Sequence, residues 1–115
     1  MSERLIDTPE KPFVRLVLAH GAGAGMESDF MQRFADCLVK HNIEVIRFEF
    51  PYMRSMRLDG KRRLPDRQSK LLQAWKEQID ALPDEALPLF IGGKSMGGRM
   101  ATILASENTS QIKGI

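Results

Sequence analysis

In Leu87-Pro88-Leu89-Phe90-Ile91-Gly92-Gly93-Lys94-Ser95-Met96-Gly97-Gly98 an apolar run gives way to glycines around a single serine. Leu87 to Ile91 has the length and composition of a strand, and Met96 to Ser106 is compatible with a helix. Gly93-x-Ser95-x-Gly97 therefore falls on a strand-to-helix turn. In that context the pattern reads as a nucleophile elbow, which lifts a serine hydroxyl above the edge of a sheet. A Cβ two positions before or after the serine would collide with the turn's own backbone, so glycine is required at both places. The bland alternative is an ordinary glycine turn; the strand before and the helix after favour the elbow.

Upstream, Phe13-Val14-Arg15-Leu16-Val17-Leu18-Ala19 is apolar with little alternation, as in a strand covered on both faces. It ends in His20-Gly21-Ala22-Gly23-Ala24-Gly25. From Ser28 to Lys40 the residues Phe30, Met31, Phe34, Cys37 and Leu38 recur at helical spacing, with Ser28 as N-cap and His41-Asn42 as the stop. Ile43 to Phe50 predicts a second strand, closed by Pro51, and a basic irregular loop is expected through about Arg63. A further helix is expected from Pro65-Asp66, with Leu71, Leu72, Trp75, Ile79 and Leu82 on one face and Pro83 ending it. Ile112 to Ile115 resembles the start of another strand. The order β-α-β-α-β-α-β predicts an α/β fold, a parallel sheet of about four strands with flanking helices. Residues 1–12 are polar, carry two prolines and are expected to form a loose lead-in, with the domain proper over 13–115. If the first and third strands are neighbours, the two glycine-rich turns meet at a topological switch point, where such sheets bind ligands.

Two phosphate-binding readings compete. A P-loop needs a glycine five positions before Gly93-Lys94-Ser95, and that position is Pro88. A dinucleotide fingerprint starting at Gly21 and Gly23 needs its third glycine where Met26 stands, although Glu49 could imitate the ribose-binding acid. Neither motif holds, so no cofactor is expected, and no metal.

A chain of 115 residues, 43% hydrophobic and 28% charged, fits one soluble domain with one core. It shows no signal-type leader and no apolar stretch of membrane-spanning length, so a cytoplasmic location and no membrane partner are expected. The single Cys37 reads as a buried thiol. The net charge of +2 conceals a segment, Arg54 to Lys70, in which seven basic residues face two acidic ones. Such a segment could attract nucleic acid or an anionic substrate, but without interleaved aromatics it reads as a solvated face, and no nucleic-acid partner is expected. It could overhang a pocket mouth, with Tyr52 and Met53 lining an apolar site.

The segments LVLAHGAGAGMESDFM, VIRFEFPYM, LDGKRRLPDR and IGGKSMGGRMA together resemble the first half of an α/β-hydrolase domain. The similarity is closest to the hydrolase-like family of the KANL and Tex proteins, related to dienelactone-hydrolase-like enzymes. It spans nearly all of Phe13 to Ala101. The resemblance implies Ser95 as nucleophile and the backbone N–H groups of Met96 and of Ala22 or Gly23 as the oxyanion hole. His20 and Gly21 would shape that loop, and Gly93 and Gly97 the elbow. In these hydrolases the triad acid and histidine follow the serine in chain order; after Ser95 this sequence has Glu107 and no histidine. His20 could substitute as base, though its usual role is to shape the loop; Lys94 should point away, and His41 should cap a helix.

The resulting expectation is a serine hydrolase-like protein acting on an ester or similar acyl bond of an unidentified small molecule, truncated and inactive or incomplete as this chain. The alternatives are a non-catalytic binding or scaffold module of the same fold, or a fragment that requires a complementing chain. Self-association, or such a complementing chain, is expected through the C-terminal strand edge.

Overall fold

A computed structural model describes residues 4–82, 86–107 and 111–115. The elements are β1 (Arg4–Asp7), β2 (Val14–Ala19), α1 (Asp29–Lys40), β3 (Ile43–Phe48), α2 (Pro51–Asp59), α3 (Gln68–Asp80), β4 (Leu89–Gly93), α4 (Met96–Glu107) and β5 (Ile112–Gly114). The five strands lie in the order β1-β3-β2-β4-β5, parallel except for β1, which runs antiparallel to β3.

The apolar strands read as two-sided, and both faces of the sheet are covered. On one face Met31 and Ala35 of α1 pack against Leu18 and Val45. On the other, Trp75 of α3 and Met100 and Leu104 of α4 pack in one cluster with Val17, Ile46 and Ile91. Phe48 and Trp75 meet edge-on at 4.9 Å, and Phe48 meets Phe50 at 5.3 Å, which fills the space under α2 and α3. Val17 pairs with Ile46 on one side and Ile91 on the other, so β2 is central. The chain winds from β2 outward to β3, then crosses back to β4. The condition for a switch point between β2 and β4 is met.

Four sequence expectations need correction. The expected loose lead-in contains β1: Arg4–Asp7 is registered against Val45–Phe48, and Asp7 accepts from Arg47 Nη2 at 3.1 Å. The basic loop after β3 is largely the helix α2, which starts on Pro51 and ends at Gly60 in the left-handed region, φ 70°. Its uncapped N-terminus is satisfied from a distance: Tyr52 N–H donates to Asp66 Oδ2 at 2.9 Å. With Asp66 used there, α3 begins at Gln68 rather than at Pro65-Asp66. Its expected terminator, Pro83, lies outside the described residues. Finally, α1 buries the stripe through Met31 and Ala35 and leaves Phe30, Phe34 and Cys37 exposed, so the thiol is not in the core. Ser28 caps this helix as expected, accepting from Met31 N–H at 3.3 Å, and His41 Nδ1–H donates to the Cys37 carbonyl at 2.9 Å.

Candidate active site

The turn between β4 and α4 is tied down on both sides. Lys94 N–H donates to Ala19 O at 3.1 Å, Gly97 N–H to Lys94 O at 3.0 Å, and Arg99 N–H to Ser95 O at 2.9 Å. Held between these bonds, Ser95 takes φ 53°, a left-handed conformation that side-chain-bearing residues rarely adopt. The side chain of this residue stays exposed at the carboxyl end of the sheet.

The surrounding glycines make that turn possible. A Cβ on Gly93 would stand 2.7 Å from Gly98 N and 2.9 Å from Ala19 O. One on Gly97 would run into the His20 carbonyl and stand 2.8 Å from Ala19 Cβ. The helix thus starts pressed directly onto β2. Gly98, which the pattern G-x-S-x-G does not single out, is equally constrained, because its Cβ would lie 2.5 Å from Gly93 O. The doubled Gly97-Gly98 was the signal for it.

The two glycine-rich turns come together. A Cβ on Gly21 would lie 3.3 Å from Lys94 O and 3.7 Å from Ser95 Cβ, so the turn after β2 stands against the serine. Ala22 and Gly23 are exposed beside it, and Met96 occupies the first position of α4, where a helix leaves its N–H groups without intrahelical acceptors.

His20 is wholly buried and both its ring nitrogens are occupied. Phe50 N–H donates to Nε2 at 3.0 Å, which makes Nδ1 the protonated nitrogen, donating to Gly21 O at 2.6 Å. Burial lowers its pKa, and the Gly21 carbonyl offsets this only in part. Neither nitrogen has a lone pair to offer Ser95. Lys94 points the other way, its Nζ 4.6 Å from the centroid of the Phe30 ring on α1.

Tyr52 and Met53 are buried at 4% and 6% exposure and belong to the core, where sequence reasoning expected pocket-lining side chains. Tyr52 has a polar task that its neighbours Phe50 and Pro51 did not reveal. Its hydroxyl donates to Ala22 O at 3.0 Å and reaches Gly21 O at 3.4 Å, pinning the carbonyls of the glycine turn. Burial, with the Asp66 carboxylate adding to it, pushes its pKa up to about 12. Glu49, the imitation ribose acid, is 3% exposed and accepts from Arg57 Nε at 2.8 Å. It also lies against Gly25, whose Cβ would stand 2.8 Å from Glu49 Oε2.

A cleft of about 550 Å³ lies elsewhere. It is lined by Arg15, Asp80, Pro88, Leu89 and Lys113, at the amino end of β2 and β4. Ligands of such sheets bind beyond the carboxyl ends, so the elbow and not this cleft is the candidate site.

Comparison with known proteins bears on the fold. The family model of the alpha/beta hydrolase domain matches residues 12–115. No curated protein matches the chain. Among solved structures, the dienelactone hydrolase of Anabaena variabilis is similar with a TM-score of 0.75 and 21% identity, covering 95% of this chain and 53% of that enzyme. Est1E from Butyrivibrio proteoclasticus gives a TM-score of 0.71 and 17% identity, covering 96% of this chain and 43% of Est1E. The type II thioesterase YbtT of the yersiniabactin pathway gives 0.67 and 16%, covering 95% of this chain and 43% of YbtT. These likenesses are of fold, and the chain spans about half the length of each.

Proposed function

The chain belongs to the alpha/beta hydrolase domain family, and on that premise we propose that it carries the nucleophile and oxyanion hole of a serine hydrolase acting on an ester or similar acyl bond. The observation that carries this reading is Ser95 at φ 53° on a turn built from three glycines and standing against Gly21. Strain of this kind is retained where the surrounding structure holds it for a purpose. Ser95 Oγ attacks the acyl carbon, and the Met96 N–H with that of Ala22 or Gly23 receives the negative charge on the carbonyl oxygen. The alcohol or thiol leaves, and water cleaves the acyl-enzyme.

A serine hydroxyl needs a base to attack near neutral pH, and His20 is committed to Phe50 and Gly21. We therefore expect these 115 residues alone to react slowly, with the base and its carboxylate partner supplied by a further segment or chain. A fluorophosphonate probe tests this. Labelling confined to Ser95, absent in Ser95→Ala and accelerated when a downstream hydrolase segment is added, supports the reading. If no setting gives Ser95-dependent labelling, the second reading stands: a non-catalytic scaffold of the same fold.

A further inference from the structure

We propose that the outer face of α2 and the loop 60–67 is a docking surface for an anionic lipid membrane. The inference is independent of the serine chemistry. Segment 54–67 holds six basic residues and two acidic ones, and both acids are spent internally. Asp59 pairs with Arg63 and accepts from Lys61 N–H, while Asp66 caps α2 through Tyr52 N–H and pairs with Lys70. Arg57 is turned inward to Glu49. Among the described residues this leaves Arg54, Lys61, Arg62 and Arg67 exposed and without an ion pair.

Two large apolar side chains fall in the same exposed segment as these cations. Leu58 is 62% exposed and Leu64 is 87% exposed. Arg54 and Leu58 are four apart on one helix and share its outer face. A single exposed leucine needs no explanation, but two within a cluster of unpaired cations make a surface both basic and apolar. The position of the cluster is set by the fold. α2 leaves the carboxyl end of β3, Tyr52 holds the turn beside Ser95, and Asp66 folds the loop back along the start of the helix. The surface is therefore at the same end of the sheet as the elbow.

Charge and apolarity together select the partner. Anionic headgroups attract clustered Lys and Arg, while leucines enter the headgroup–acyl boundary, and the two contributions reinforce each other. Single-stranded nucleic acid would be met by aromatic stacking platforms, and segment 54–67 has no aromatic residue. The expectation of no membrane partner rested on the lack of a span; indeed no described helix is long and apolar enough to cross a membrane, and peripheral docking requires none.

Co-sedimentation of the full 115-residue chain with lipid vesicles tests the proposal, a vesicle-free sample setting the baseline. Binding is expected to phosphatidylcholine vesicles containing about 30% phosphatidylglycerol and not to pure phosphatidylcholine, with loss at high salt. The double variant Lys61→Glu/Arg62→Glu should lower the partition about tenfold or more. Leu58→Ser/Leu64→Ser should lower it about tenfold with the charge untouched. Circular dichroism should show both variants folded, since all four side chains are exposed. Failure to bind anionic vesicles, equal binding to neutral ones, or full retention by either variant overturns the proposal. So does displacement by duplex DNA that the leucine substitutions leave unchanged, which would assign the surface to nucleic acid. Ser95→Ala should bind vesicles normally, so loss of the hydrolase reading and loss of this one give different results.

Discussion

Ser95 is a residue whose conformation costs free energy and whose neighbours are chosen to hold it. The clearest test is Gly97→Ala, because the added methyl would meet the fixed His20 carbonyl and Ala19 rather than a flexible side-chain end. We expect a destabilisation of about 3 kcal/mol by urea denaturation, compared with well under 1 kcal/mol for alanine at Gly23, where nothing lies within 4 Å. Tyr52 offers a second test. Its pKa is raised to about 12 from an ordinary value of 10.0, so the neutral phenol is favoured in the fold. The stability it contributes is complete below pH 10 and is lost as pH rises through about 12. Tyr52→Phe should remove that alkaline loss, read as the pH dependence of the urea midpoint, and should cost about 1 kcal/mol at neutral pH through the abandoned Ala22 carbonyl. The elbow residues were legible from spacing alone, since steric need writes itself into the sequence as glycine. Tyr52 was not, because its partner carbonyls lie thirty residues away and leave no local pattern.

Between elements, Arg47 is the principal tie. Buried at 2% exposure on β3, it donates to Met26 O at 3.0 Å, to Gln32 Oε1 at 3.2 Å and to Asp7 Oδ2 at 3.1 Å. It thereby joins β1, the end of the glycine turn and α1. Arg47→Met should destabilise by about 2 kcal/mol, since the Met26 carbonyl loses its donor, whereas Asp7→Ala should cost less than 1 kcal/mol because that carboxylate is 39% exposed. Equal effects of the two substitutions in thermal or urea unfolding would show that the ion pair, and not the backbone contact, matters. β2, β3 and β4 were evident as apolar runs, and α3 as a periodic face. β1 escaped because four residues among prolines and charges carry no periodic signal; pairing with the edge of β3 makes it a strand. α2 escaped because its nine residues open on Pro51, which also reads as a strand stop, and carry two arginines and an aspartate, and its cap, Asp66, acts only once the loop has folded back.

At the scale of the whole molecule, β5 pairs with β4 and closes the sheet order on that side. Ile115 beside it is 64% exposed. A sheet edge with apolar side chains invites pairing, and we expect the 115-residue chain to associate as its concentration rises. Sedimentation velocity should show that Ile115→Lys lowers this association; an unchanged profile would place the contact elsewhere. The sequence by itself determined the α/β class, the strands β2, β3 and β4, and the elbow at Ser95 with its glycines, because these depend on local sterics and on apolar runs that water excludes. Only the tertiary structure decided that β2 and β4 are neighbours, that Gly21 stands against Ser95, and that His20 is held between Phe50 and Gly21. Those facts depend on which strands pair and on where buried polar groups find their partners, and such partners are distant in the chain.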